Sequence, residues 1–240
     1  MAGAQGLTQE QLETALAWYR AELNERLVVH WTGGAWRVPL STRHLPVAAA
    51  DGSAMGRLIC AEDPDLLRAM AGLRPVGHPL NPEALAAAMA PHAALMARLR
   101  ALEGVTGDRW DADLALRTLR ATLTSDKPVT LLSAADRPIS ELAGRMAALA
   151  TGGVLWKPAP RAAASAHLLM RALAPLLGPA AALLQGDHAS GGLLARAARP
   201  LWLGQGSVPT ELGGYSRGQE ATLQAIFGST EPSAASSRRS

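Results

Sequence analysis

Covalent catalysis needs a thiolate, a hydroxyl beside a base, or an activated amine, and the chain offers few residues for any of these. It has a single cysteine, Cys60, which can form no internal disulfide. Cys60 ends an apolar run over 55–60, so a small buried hydrophobe is expected there rather than a nucleophile. A lone cysteine used in this way fits a reducing cytoplasm. The six histidines are scattered, none standing at i, i+4 from another ligand type, so no metal centre is expected. His167 falls in an apolar helical stretch, where a half-buried histidine is the simpler expectation than a proton shuttle. HExxH, CxxC and Walker patterns are all absent from the sequence.

Composition bounds the partners. A chain of 240 residues, 48% hydrophobic, holds one large domain or two small ones with a true core. The formal net charge is only +3, with no lysine-rich block, so nucleic acid is not an expected partner. The Ala/Leu-rich run over 162–184 is broken by His167, Arg171, Pro175 and Pro179, which predicts a buried helix and no membrane span. The start, MAGAQGLTQEQ, has no basic stretch followed by an apolar core, so no targeting segment is expected.

Periodicity predicts the elements that must carry any site. Thr8 and Gln11 form a capping-box pair, and Leu12, Leu16, Tyr19 and Leu23 share one helix face to about residue 26. Strands are expected over 27–31 and 35–40 around Thr32-Gly33-Gly34, then over 44–49 and 55–60 around Asp51-Gly52. Helices follow from Asp63, over 83–102 with Pro91 dividing or kinking it, and over 111–124 with Leu114, Leu116, Leu119 and Leu123 inward. The remainder alternates: strand 129–132, a helix carrying Leu142, Met146 and Leu149, a stop at Gly152-Gly153, strand 154–156, helix 163–177, strand 181–185, helix 191–198 and strand 200–203. Strands that alternate with helices predict an α/β fold: a Rossmann-like parallel sheet flanked by helices, preceded by an N-terminal helix and short β-hairpins. Residues 1–215 are expected to form this domain, with 1–62 as helix and hairpins, 63–124 as helices and 125–215 as βα units. Residues 216–240 should form one short helix over 219–227 and a Ser-rich, disordered tail.

Four segments carry a resemblance. TGGAWRVPLSTRHLPVAAADGSAMGRL (32–58), ALATGGVLWKPAP (148–160), LLQGDHASGG (183–192) and LGQGS (203–207) resemble, in order and spacing, landmarks of the N-terminal nucleotide-binding half of aldehyde dehydrogenases. In that family a Gly-x-Trp strand precedes a Pro-containing strand, a helix end leads to a strand closed by Lys-Pro, and a Phe-Thr-Gly-Ser turn follows. The similarity spans roughly residues 25–207.

The resemblance implies a cofactor site for NAD or NADP. Lys157 matches the family lysine that contacts the adenosine ribose and phosphate. Gly206 and Ser207 match the Gly-Ser pair whose backbone N–H groups face the pyrophosphate at a helix N-terminus. Other positions depart from the family. Pro160 stands where a glutamate accepts the ribose hydroxyls, and a proline side chain cannot accept. The loop Ser133-Ala134-Ala135-Asp136-Arg137-Pro138 lacks the asparagine that helps to hold the oxyanion, a loss typically worth ~10²- to 10³-fold in turnover. Asp136 would repel a developing negative charge. No cysteine matches the family nucleophile. Glu211-Leu212-Gly213-Gly214 resembles the motif carrying the family's general base, yet it follows Ser207 by four residues, where the family places a whole helix and strand. A lost βα segment and a coincidence both fit that spacing.

The expectation is therefore a truncated pseudoenzyme that keeps the NAD(P)-binding half, with no catalytic residue of its own. The competing expectation is a non-catalytic structural or interaction module. Either implies a partner: a second copy of the chain, a full-length dehydrogenase, or the missing catalytic half, since a halved dehydrogenase would expose a large apolar patch.

Overall fold

The computed structural model describes residues 8–78 and 80–204. Helix α1 (Gln9–Ala21) opens with the expected box, in which Thr8 Oγ1 accepts from Gln11 N–H and Gln11 Oε1 accepts from Thr8 N–H. After Glu22 the chain makes one more turn, α2 (Leu23–Arg26), and Leu27 N–H still donates to Leu23 O. That helix end is why the first strand, β1 (His30–Thr32), starts three residues later than its apolar run predicts. Strand β2 (Ala35–Arg37) completes the first hairpin, and β3 (His44–Ala48) pairs with β4 (Ala54–Ile59) as a separate two-stranded sheet.

Helices α3 (Asp63–Gly72), α4 (Pro82–Met89), α5 (Ala93–Leu102) and α6 (Ala112–Ala121) come next. Pro91 does divide the long helical pattern, since it sits in a 3₁₀ turn between α4 and α5. Helix α6 stops at Ala121, and Leu123, expected inward, is 66% exposed.

The alternating elements are β5 (Val129–Ser133), α7 (Ile139–Leu149), β6 (Val154–Pro158), α8 (Ala163–Leu177), β7 (Ala181–Leu183), α9 (His188–Ala197) and β8 (Arg199–Leu203). With β1 and β2 they build a six-stranded sheet in the order β2-β1-β7-β6-β5-β8. β7, β6, β5 and β8 run parallel, while β1 joins β7 antiparallel through Trp31 and Leu183. Every residue of β5 and β6 is buried, as a sheet covered on both faces requires. On one face Leu155, Ala182 and Leu184 meet Leu194 of α9 and Leu66, Ala69 and Leu73 near α3. On the other, Val154, Trp156, Ala181 and Leu183 join the main core with Met146 and Leu169. Gly152 and Gly153 end α7 as expected. Gly153 has φ +93, and a Cβ on Gly152 would lie 1.9 Å from Ser125 O.

A buried cation ties these layers together. Arg100, 1% exposed, donates Nε to Asp108 Oδ2 at 2.7 Å, Nη1 to Glu103 Oε2 at 3.4 Å and Nη2 to the Arg137 carbonyl at 2.9 Å. Asp108 accepts from the first N–H of α7, at Ile139, at 3.2 Å. Glu103 accepts from Ser165 N–H at 2.9 Å in the first turn of α8. Burial pushes the Glu103 carboxyl up to about 7, against the Ser165 and Arg100 contacts that pull it down. Removing one partner of a buried ionic group strands the others, so Arg100→Leu is expected to lower the unfolding free energy by about 3–5 kcal/mol in chemical denaturation. Arg98→Ala, which breaks the exposed Arg98–Glu13 pair, is expected to cost less than about 1 kcal/mol.

His167, expected half-buried, is only 3% exposed. Its ring stacks on Trp36 with centroids 4.4 Å apart, and Nδ1 lies 2.8 Å from Tyr19 Oη. Burial, helped by the Arg26 and Arg171 charges, pushes the imidazole down to about 3. A depressed pKa leaves this contribution intact above the ordinary value of 6.5 and removes it as pH falls toward the folded value. His30, pushed down to about 4 by burial, acts in the same direction. Stability is therefore expected to decline as pH drops below 6.5, and His167→Gln should reduce that slope when denaturation is followed across the acid range.

Candidate functional site

Among the described residues, the strand order β7-β6-β5-β8 places a topological switch point between β5 and β8, because the chain leaves β5 toward β6 and β7 and returns to β8 on the other side. In open α/β sheets ligands bind outside the carboxyl ends of the strands at such a point. A crevice at that point would be framed by Ser133 at the end of β5, Lys157 in β6 and Leu203 at the end of β8, with Ala134 N–H donating to Leu203 O at 2.8 Å.

Lys157 faces the same side of the sheet as Leu155, the side covered by α9. It is 6% exposed, and its ammonium makes no hydrogen bond or ion pair among the described residues. Burial pushes the ammonium down to about 8, partly offset by Asp187 and Cys60. A buried cation with open donor capacity has the chemistry needed to meet a phosphate or a ribose hydroxyl.

The neighbours of Lys157 are committed elsewhere. Asp187 caps α9 by accepting from Ser190 N–H at 3.1 Å, and it is ion-paired with Arg43. Burial pulls the Asp187 carboxyl upward, but the Arg43 and Ser190 hydrogen bonds outweigh it and hold it at about 2. Arg43 also reaches Glu62 at 3.2 Å. Cys60 is fully buried, as expected for a packing residue, and burial pushes its thiol up. One further buried acceptor, Gln185 Oε1, has no partner. It stands at the carboxyl end of β7, and Gln185 Nε2 donates to Ala163 O at 3.4 Å.

The loop after β5 carries no amide side chain. Asp136 is 50% exposed and lies 3.7 Å from Arg137, whose carbonyl is held by Arg100. Ser133 Oγ is engaged by Trp156 Nε1 at 3.0 Å. Pro160 opens a 3₁₀ turn ahead of α8 and supplies no acceptor side chain. Gly206, Ser207, the 211–214 motif and the helix expected over 219–227 lie outside the described residues. The structure thus places Lys157 beside the switch point and keeps Cys60 from acting as a surface thiol. Among the described residues no group of His, Cys, Asp or Glu could hold a metal, and no helix is long and apolar enough to cross a membrane.

Sequence reading missed the Asp187–Arg43 pair and the start of α9 three residues early. The signal for the latter was present in Asp187 and Ser190, a side-chain cap at the right spacing. A second signal is compositional: Lys157 is one of only two lysines in an arginine-rich chain.

The sequence matches no family model and no curated protein. The structure, however, is similar to solved dehydrogenases. Δ-pyrroline-5-carboxylate dehydrogenase from Mycobacterium tuberculosis, bound with NAD and cobalamin, superposes with a TM-score of 0.57 at 16% identity, covering 84% of this chain and 49% of that one. Betaine aldehyde dehydrogenase from Staphylococcus aureus, in complex with NAD+, gives 0.58 at 15% identity, covering 72% and 44%. NADP-dependent glyceraldehyde-3-phosphate dehydrogenase from Bacillus halodurans, complexed with NADP, gives 0.52 at 20% identity, covering 70% and 45%. The chain spans less than half the length of each. It has the fold of the aldehyde dehydrogenases over the extent expected of their N-terminal half.

Proposed function

We propose that the chain is an aldehyde-dehydrogenase-like protein that retains an NAD or NADP site and has no thiol-dependent chemistry of its own. The observation that carries this reading is Lys157, a buried ammonium with no partner among the described residues, at the carboxyl end of β6 and next to the switch point. Lys157 would hold the adenosine ribose and phosphate, and the Gly206-Ser207 backbone would face the pyrophosphate. Buried Gln185 Oε1 is a further open acceptor at the same end of the sheet. The similar dehydrogenases in complex with NAD or NADP support this choice of ligand. Such a cofactor supplies hydride transfer when bound, and the residues around it here bind rather than react. Cys60 is buried with its thiol pushed up, and the loop after β5 offers no asparagine to an oxyanion.

A second reading, an interaction module, is favoured by a different observation. Val38, Leu40 and Leu67 are 71%, 57% and 70% exposed. Leu40 N–H to Asp65 and Arg68 Nη2 to Val38 O fasten the 38–40 segment to α3, so these apolar side chains share one surface. A second copy, a full-length dehydrogenase or the missing catalytic half would cover it. Light scattering after size exclusion is expected to show an assembly on this reading; a strict monomer that captures no dehydrogenase removes it.

Calorimetric titration with NAD and NADP tests the first reading. Lys157→Ala is expected to weaken binding about 10- to 100-fold, the worth of one hydrogen bond to a charged group. An anion beside Lys157 favours its protonated form, so affinity should fall as pH rises through about 8 in the parent, and that pH dependence should vanish in the variant. No binding at millimolar cofactor would sink the reading. Incubation of the chain alone with aldehydes and cofactor is expected to give no NAD(P)H absorbance.

A further inference from the structure

At the opposite end of the sheet from Lys157 lies a second cleft, of about 530 Å³, lined by Thr32, Gly33, Arg37, Arg68, Gly72, Arg74 and Pro179. Thr32 ends β1, Gly33 begins the β1–β2 turn, and Pro179 stands just before the amino end of β7. β7 runs parallel to β6 with Ala181 beside Val154, so this cleft is separate from the crevice at the carboxyl ends. We propose that it binds the phosphoryl group of a small phosphorylated molecule.

Charge is the first argument. The lining holds three arginines and no acidic residue. Among the described residues the one carboxylate paired with them is Asp65, 3.1 Å from Arg68 and also engaged by the N–H groups of Leu40 and Ser41. Three guanidiniums against one carboxylate leave an excess of positive charge around one cavity.

Open donors are the second argument. The Arg37 side chain makes no hydrogen bond or ion pair among the described residues. Arg74 spends Nη1 on the carbonyls of Ala71 and Leu73, which orients its head and leaves the rest of the fork open. Arg68 is fixed by Val38 O and Asp65, yet its Nε is buried without a partner. Thr32, 2% exposed, has a hydroxyl that is likewise buried without a partner. Native structures rarely leave two such atoms on one cavity unless a ligand or water satisfies them.

Shape is the third. The arginines come from three places, β2, α3 and the segment after α3, so their donors approach from different directions. A tetrahedral oxyanion accepts from several directions at once, whereas a carboxylate accepts in one plane. The wall between β1 and α3 is bare backbone: a Cβ on Gly72 would lie 3.0 Å from Gly33 Cα, and Gly33 has φ +60. The volume falls within the range of small-molecule sites, roughly 300–1,000 Å³, and exceeds the needs of a lone phosphate ion.

Calorimetry on the full chain with inorganic pyrophosphate tests this, with inorganic phosphate and citrate as separate arms. Pyrophosphate is expected to saturate one site more tightly than phosphate or citrate. Arg37→Gln and Arg74→Gln, both at exposed positions that leave the core intact, should each weaken it about tenfold or more, and Thr32→Val should weaken it several-fold. Lys157→Ala should leave it unchanged, which separates this site from the proposed cofactor crevice. Absence of saturable binding overturns the proposal. So does binding untouched by both arginine substitutions, binding lost with Lys157→Ala, or citrate binding as tightly as pyrophosphate.

Discussion

The geometry at the carboxyl ends of the strands depends on a charge held where charges are costly. Arg100 is enclosed between helices, and its three directions of donation reach the end of its own helix, the loop after it, and the turn that precedes α7. Through Glu103 the same network holds the first turn of α8. Both helices that flank β6 in sequence are thus anchored at their first turns, next to the carboxyl ends of β5 and β6. A hydrophobic cluster could have filled the same volume, but it would not have specified which backbone groups meet.

Charge placement around the carboxyl ends of the strands suits the proposed role of binding without thiol chemistry. Asp187 would be the natural counter-ion for Lys157, but Arg43 and the first turn of α9 already occupy it. The lysine is left buried and, among the described residues, without an ion pair, and burial lowers its basicity against the opposing pull of Asp187 and Cys60. Arg43 and Lys157 pull the nearby Cys60 thiol down, but burial outweighs them and pushes it up. The same surroundings therefore leave a cation open to an anion and keep a thiol inert.

The strands and helices were largely legible because their periods are clean. Leu142, Met146 and Leu149 mark one face of α7 and are all buried, and Gly152-Gly153 stops it where the backbone must cross Ser125. Errors came where a local signal was overruled by a neighbouring element. Leu27 is apolar and precedes two valines, so it reads as strand, yet the preceding helix keeps its N–H. Leu123 has the right spacing for an inward face, but α6 ends before it. For the site, the family resemblance pointed to Lys157, while its burial and lack of a partner depend on Asp187, Arg43 and Cys60, which approach from distant parts of the chain. Pairing choices of that kind have no periodic signature. The arginine cleft is hidden for the same reason, since Thr32, Arg37, Arg68 and Arg74 are unremarkable until β1, β2 and α3 meet.

The attachment of the first hairpin to the sheet bears on how the chain acquires this structure. β1 reaches the sheet only through β7, and Trp31 Nε1 bonds the Gly178 carbonyl across 147 residues of sequence. Contacts of such separation carry a loop-closure cost that local helices do not, and they form late. During synthesis the hairpin emerges early but has no strand to join until β7 has followed it from the ribosome. The loop-closure cost of completing the sheet therefore falls on this edge rather than on the local βα units.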